Sequence, residues 1–219
     1  GVAAVIFDEI HERALQADLG LALALEAQEA LRPELRILAM SATLDAAGLA
    51  ERLGVRPIVS EGRAHPVETR HLARPWRRDH RRLEDAVAAL ALEALAASAG
   101  SALAFLPGVG EISRTLAALE GRLPAGVEAR PIHGAMPLAA QRAALAPAAA
   151  GRRKLVLATA IAETSLTVEG VAAVVDAGLA RRARFDPGSG MTRLVTEPVS
   201  RAEAEQRRGR AGRLGPGLC

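Results

Sequence analysis

Short apolar runs alternate along this chain with longer stretches in which apolar positions recur at helical spacing. Val2–Phe7 is an apolar run too short for a helix and of the length of a strand buried on both faces. Leu15–Leu31 reads as a helix ended by Pro33, and Arg36–Met40 as a second buried strand. Asp45 would cap a short helix running through Leu53 and closed by Gly54, with Pro57–Val59 as an edge strand. After a break, the alternation resumes. Leu83–Ala97 is predicted as an amphipathic helix with Gly100 just beyond it, Ala102–Leu106 as a strand and Gly110–Glu120 as a helix. Val127–Ile132 follows as a strand leading into His133-Gly134, then a short helix at Pro137–Leu145 and strands at Leu155–Ala158 and Val171–Asp176. Strands alternating with helices make the fold class α/β, with parallel sheets and right-handed crossovers.

Two stretches break that rhythm. Arg181–Phe185, the turn Asp186-Pro-Gly-Ser-Gly190 and Met191–Val195 read as a β-hairpin. Ser200 and Glu203 then form a capping-box pair for a helix carrying Gln206–Arg213. The final Gly215-Pro-Gly-Leu-Cys219 reads as an ending without a domain-like finish. The break itself, from about Glu61 to Arg82, is basic and interrupted by prolines. It reads either as a linker or as an interdomain strand followed by a solvated turn. A domain boundary at about residue 65 follows, giving domains 1–65 and 66–219.

Composition narrows the function. Half of the 219 residues are hydrophobic and 24% are charged, enough to bury a core. The net charge of +3 with a pI of 10.2 is compatible with a polyanionic partner without demanding one. Three Phe, one Trp and no Tyr leave little for stacking bases, so nucleic-acid contacts are expected at the sugar-phosphate backbone. A single cysteine excludes an internal disulfide and a Cys-based zinc site, and the arginines around His65, His71 and His80 disfavour a metal there. The apolar run at Leu19–Leu25, bounded by Asp18 and Glu26, is far short of a membrane span, and no signal peptide is visible. An intracellular, cytoplasmic protein is expected. The sequence starts at Gly1 inside an apolar strand, as an internal piece of a longer protein would.

The candidate chemistry begins where the first strand gives out, at Asp8 and Glu9. Ligands of open α/β sheets bind outside the carboxyl ends of strands. An NTPase uses one acid there to hold Mg²⁺ and the next to activate water. A pair of solvated charges is the plain alternative. Ser41 and Thr43, after the second strand, could link that acid site to neighbouring elements through hydrogen bonds. Thr159-Ala-Ile-Ala-Glu-Thr-Ser-Leu-Thr167 is a hydroxyl-rich loop after a strand, suited to phosphate or ribose contacts or simply to a turn. In Gln206-Arg-Arg-Gly-Arg-Ala-Gly-Arg213, Arg210 and Arg213 lie three apart, on one face if the segment is helical. Such a pair can act as arginine fingers in phosphoryl transfer, or form a solvated or nucleic-acid-binding basic face. The two glycines between the arginines favour close packing against another surface. Gly108-Val-Gly110 lacks the third glycine of a dinucleotide loop, and no Gly-Lys-Thr or Gly-Lys-Ser occurs, so the chain holds no P-loop.

Taken in order, these stretches resemble a known set. Asp8-Glu9-Ile10-His11, Ser41-Ala-Thr43, Leu103-Ala-Phe-Leu-Pro-Gly108 with Glu111-Ile112, Thr159 to Gly170, and Gln206 to Arg213 resemble helicase motifs II to VI. The Asp-Glu-x-His form is similar to the DEAH-box helicases of superfamily 2. Phe185-Asp-Pro, Thr192-Arg-Leu-Val-Thr196 and the ending Gly-Arg-Leu-x-Pro-Gly resemble the bacterial HrpB-type ATP-dependent helicases. The resemblance covers nearly the whole chain. It implies a partial first RecA-like domain and a complete second one, with a β-hairpin insertion and motifs I, Ia and Ib upstream.

By that resemblance Asp8 holds Mg²⁺, and Glu9 activates the attacking water and meets the ion through it. His11, Ser41 and Thr43 couple nucleotide state to domain movement, and Gln206 lies near the γ-phosphate with Arg210 and Arg213 as the fingers. Thr167 and Glu169 match positions on the ribose side of ATP. Thr159 and the Gly108 loop match positions on the nucleic-acid backbone, and the Arg181–Val195 hairpin matches one that projects toward the strand. The implied cofactors are ATP and Mg²⁺. The implied partner is single-stranded nucleic acid, RNA by expectation, bound by a monomer or a protein associating through further C-terminal domains. Two positions depart from the pattern. Ala160 stands where the family commonly has Asn, and Gln141–Leu145 is Ala-rich where eukaryotic relatives carry a Phe that stacks on adenine. The expected function is NTP-driven strand translocation and unwinding by the parent protein, with this piece inactive alone. The alternative is a non-catalytic module that binds nucleic acid or a partner protein.

Overall fold

The computed structural model describes residues 1–10, 13–41, 46–60, 65–74, 82–162 and 168–219. The chain divides into two compact units, Gly1–Gly62 and Arg63–Cys219.

In the first unit, β1 (Ala4–Phe7) and β2 (Arg36–Ala39) pair in parallel, Ala4 opposite Arg36 and Phe7 opposite Ala39. The 16-residue helix α1 (Leu15–Ala30) connects them, as a parallel pair requires. A second helix, α2 (Ala46–Leu53), ends at Gly54, whose φ of +64° is the left-handed stop that glycine supplies. Neither strand is buried on both faces as the apolar run suggested. Both alternate exposed and half-buried positions, with Ile6 59% and Leu38 48% exposed. The sheet has two strands, and an apolar sequence is buried only where something covers it. Pro57–Val59 is likewise no strand, and Ile58 is 96% exposed.

The second unit is built on six parallel strands in the order β3-β10-β7-β4-β6-β5. These are β3 (Val67–Glu68), β4 (Ser101–Phe105), β5 (Val127–Ile132), β6 (Arg153–Ala158), β7 (Val171–Asp176) and β10 (Gly217–Leu218). The basic break thus contributes an edge strand, and the chain's last residues slot between β3 and β7.

Helices α3 (Leu83–Ala97) and α4 (Val109–Leu119) cover one face, packing on Ala102, Ala104, Leu155, Leu157 and Val175. The other face carries Leu103, Phe105, Val156 and Val174, joined by Ala144 of α5 (Leu138–Leu145) and by Ala211. Alternate residues of β4 point into opposite cores, and the strand is buried throughout. α3 is two-faced as expected, with a narrow exposed stripe at Asp85, Ala89, Glu93 and Ala96. Val87, Ala88, Ala91, Ala94 and Leu95 are buried together with Glu84, so much of its circumference faces protein.

Between β7 and the last helix lies an antiparallel hairpin of β8 (Leu179–Asp186) and β9 (Met191–Pro198), in register from Leu179–Pro198 to Asp186–Met191. Helix α6 (Arg201–Gly209) follows, and Arg210–Gly212 forms a 3₁₀ turn.

Candidate functional site

The acid pair sits on a turn fixed by its neighbours. The Phe7 carbonyl accepts from the Met40 N–H at 2.8 Å, and the Met40 carbonyl accepts from the Ile10 N–H at 3.0 Å. Asp8 and Glu9 are held between these two bonds. Ile10, 5% exposed, anchors the far side. Glu9 has φ +52°, a left-handed conformation that costs a non-glycine residue about 1–2 kcal/mol, and its N–H donates to Asp8 Oδ1 at 2.9 Å. Asp8 is exposed and Glu9 half-buried. Because β1 and β2 run parallel, Ser41 follows directly from the residue that pins the acid turn. His11 and Thr43 lie outside the described residues.

In the second unit the strand order gathers the other loops at one sheet edge. The Leu106 N–H donates to the Ala158 carbonyl at 2.8 Å, the Thr159 N–H to Ile132 at 3.2 Å and the Ala177 N–H to Phe105 at 3.2 Å. The loops leaving β4, β5, β6 and β7 are thereby tied to one another. Gly108 and half-buried Thr159 both stand on this edge, and Thr159 opens a 3₁₀ turn over Ala160–Ala162. Exposed Glu169 precedes β7, at the opposite end of the sheet from these loops. Thr167 lies outside the described residues. His133 follows β5 at the same edge as Thr159, and its Nδ1 is buried without a hydrogen-bond partner among the described residues.

Gly108 is the N-cap of α4 and is buried. A Cβ there would lie 2.5 Å from a guanidinium nitrogen of Arg181 and 2.8 Å from Glu111 Oε2. The missing side chain lets Arg181 of β8 reach Glu111, at 3.1 Å. Glu111 also pairs with Arg114 at 3.0 Å, and Arg114 with Glu84 at 2.7 Å, so one chain of charges runs from the hairpin through α4 to α3. For Glu84, burial raises the carboxyl pKa, but its hydrogen bonds and the Arg114 guanidinium hold it below the ordinary 4.5.

The hairpin is also tied to α6. Arg182 pairs with Glu197 at 3.1 Å and with Glu203, the residue whose carboxylate accepts the Ser200 N–H at 2.7 Å. The Ser200 hydroxyl in turn accepts the Glu203 N–H at 3.2 Å, completing the capping box. At the hairpin tip Asp186 accepts from Ser189, Gly188 and Arg193, which lower its pKa. Phe185, Met191 and Leu194 are each at least 60% exposed.

The arginine-rich segment differs from its expected form. The α-helix stops at Gly209, and Arg210 begins the 3₁₀ turn. Arg210 is 6% exposed whereas Arg213 is exposed. Gln206 is half-buried. Of the two glycines, Gly212 meets the expectation of close packing, since a Cβ would lie 2.7 Å from the His65 carbonyl oxygen. Gly209 has nothing within 4 Å of that position among the described residues outside its own helix backbone.

The residue that sequence reasoning passed over is Arg207. It is 1% exposed, pairs with Asp176 Oδ1 at 2.8 Å, donates to the Leu179 carbonyl at 3.3 Å and stacks 4.9 Å from the Phe105 ring centre. Arg207 and Arg208 stand side by side in a basic run, and nothing local marks which of them turns inward.

The fold is α/β, with a RecA-like parallel sheet covered on both faces and an arginine turn packed against it. The chain belongs to the helicase conserved C-terminal domain family, which matches residues 84–215. Over its whole length it is 54% identical to the ATP-dependent RNA helicase HrpB of Escherichia coli, covering 27% of that protein. It is 39% identical over 98% of the chain to the pre-mRNA-splicing factor ATP-dependent RNA helicase prp22 of Schizosaccharomyces pombe, covering 19% of it. Two crystal structures of the Escherichia coli HrpB match all of the chain at 53% identity, with TM-scores of 0.86 and 0.90 and 27% and 28% of their chains covered. The chain therefore spans about a quarter or less of the relatives it matches. Among the described residues no helix is long and apolar enough to cross a membrane.

Proposed function

We propose that this chain is part of an ATP-dependent helicase that translocates along single-stranded RNA in the cytoplasm, and that Asp8, Glu9, Arg210 and Arg213 are residues of its nucleotide chemistry. The observation that carries this reading is the acid turn, two carboxylates held between paired backbone hydrogen bonds at the carboxyl end of a parallel strand. Residues 1–65 and 66–219 are then the end of one RecA-like domain and the body of a second.

The donor chemistry fits Mg²⁺. Hard carboxylate oxygens at a strand end, one of them exposed on Asp8, suit a cation that keeps several waters and shares itself with phosphates. Bound, the ion supplies charge neutralisation at the phosphates. Asp8 would hold it, and Glu9 would orient and deprotonate the attacking water. Gln206 would face the γ-phosphate, while Arg213 and Arg210 would stabilise charge developing on it. Glu169 and Thr167 would read the ribose side, and Thr159 and Gly108 the nucleic-acid backbone. His11, Ser41 and Thr43 would relay nucleotide state to the strand-binding loops. Backbone contacts fit a chain with three Phe and one Trp.

A second reading, a non-catalytic nucleic-acid or partner-binding module, is favoured by one observation: these 219 residues contain no Gly-Lys-Thr or Gly-Lys-Ser to cradle phosphates. ATPase assays with and without single-stranded RNA separate the two. The 219-residue chain is expected to show no turnover. A protein extended upstream by a Gly-x-x-x-x-Gly-Lys-Thr segment is expected to show RNA-stimulated turnover that falls by about 10²–10⁴ in Glu9→Gln and at least as far in Arg210→Ala. An extended protein indifferent to both substitutions overturns the assignment. Turnover by the bare chain that disappears in Glu9→Gln overturns the requirement for the phosphate loop.

A further inference from the structure

A buried arginine is expensive unless it does something an apolar residue cannot. Arg207 loses its hydration, and its ion pair with Asp176 has to offset that loss. Buried ion pairs are often replaceable by packed apolar residues with no loss of stability, so stability alone does not call for this one. What an apolar side chain cannot supply is direction. One guanidinium nitrogen donates both to Asp176 Oδ1, at 2.8 Å, and to the Leu179 carbonyl, at 3.3 Å. Its carbon stands 4.9 Å from the Phe105 ring centre, within cation–π range.

The three partners end or begin three elements. Phe105 is the last residue of β4 and runs into the Gly108 loop; Asp176 is the last residue of β7; Leu179 is the first of the hairpin. Asp176 Oδ1 also accepts the Gly178 N–H at 2.8 Å, fixing the bend from β7 into the hairpin. On its own helix Arg207 lies between Gln206 and the turn bearing Arg210 and Arg213. A displacement of that turn along α6 therefore reaches the root of the hairpin and the root of the Gly108 loop through one planar side chain.

We propose that Arg207 is a positioning residue that couples nucleotide hydrolysis to nucleic-acid binding. The role rests on the functional reading above, and it assigns Arg207 no contact with nucleotide or RNA. Lysine keeps the charge but has neither the planar fork nor the stacking face.

The test uses the full-length protein with poly(U) RNA as probe, comparing wild type with Arg207→Lys and Asp176→Asn. ATPase rates are measured with and without RNA, together with the KM for ATP and the Kd for RNA. The expected result is that unstimulated turnover, KM and Kd each stay within about threefold of wild type, while RNA stimulation falls by at least about fivefold in both variants. Unchanged stimulation in a folded Arg207→Lys overturns the proposal. So does a parallel fall of every parameter, or failure of both variants to fold, because each marks a purely structural residue. Wild-type protein with no RNA-stimulated turnover removes the functional reading itself and this role with it.

Discussion

Gly212 shows what one missing side chain decides. A Cβ there would meet the His65 carbonyl oxygen at 2.7 Å and Val67 Cγ2 at 2.8 Å, and the Gly212 carbonyl accepts the His65 N–H at 2.9 Å. The neighbour is backbone in an edge segment of the sheet, which cannot rotate away. Gly212→Ala is expected to cost about 1–3 kcal/mol, as overpacking does, and to lower Tm by about 2–4 °C per kcal/mol. Gly209→Ala is the comparison, with no described atom outside its own helix backbone within 4 Å and a helical φ of −58°. It should be neutral or stabilise by up to about 1 kcal/mol. Thermal denaturation of the two variants checks this, and equal destabilisation would refute the account. In sequence the two glycines look alike. Their difference lies in His65, which local pattern does not bring near.

At the scale of elements, the capping box of α6 was legible and its consequences are wider than a cap. Glu203 accepts the Ser200 N–H and pairs with Arg182 of the hairpin, so helix and hairpin share one carboxylate. Burial raises its pKa, but the Ser200 N–H and hydroxyl and the Arg182 guanidinium together hold it below the ordinary 4.5. A carboxyl whose folded pKa is depressed stabilises the native state above its unfolded value and loses that contribution as the pH falls below it. Glu203→Gln should therefore lower Tm at pH 7, and the gap between wild type and variant should close as the pH falls below 4.5. A gap of constant size from pH 7 to pH 3 contradicts this. The same box sits beside a segment whose form was not legible. The periodicity carried a helix through to Arg213, whereas the α-helix ends at Gly209 and tightens into a 3₁₀ turn whose Ala211 and Gly212 are buried against the sheet. That end is set by packing, which overrides propensity.

For the whole molecule, the two units differ in how far each closes on itself. Residues 63–219 bury both faces of a six-stranded sheet. The first unit has a two-stranded sheet that leaves Val2, Ile6, Leu38 and Met40 at least 39% exposed. A two-stranded sheet is marginal in water by itself. Residues 63–219 expressed alone are expected to unfold in one cooperative transition, and residues 1–62 alone to bind a hydrophobic dye and unfold without one. Cooperative unfolding of 1–62 would show that α1 and α2 suffice to close that core.

The elements themselves were largely written in the sequence. Apolar runs, helical spacing, the Asp-Pro-Gly turn and the Ser200–Glu203 pair act between residues a few positions apart, so the α/β class, the strands β4 to β7 of the second unit and the hairpin follow from local pattern. The acid turn and the arginine segment were recognisable by residue type and spacing for the same reason. Tertiary structure decided the rest. It chose which apolar strands are covered, placed the last residues of the chain between β3 and β7, buried Arg210 and left Arg213 exposed. It also turned Arg207 inward onto an aspartate 31 residues away. These outcomes depend on which distant segments come together, and a charge or a glycine carries no local mark of its eventual neighbour.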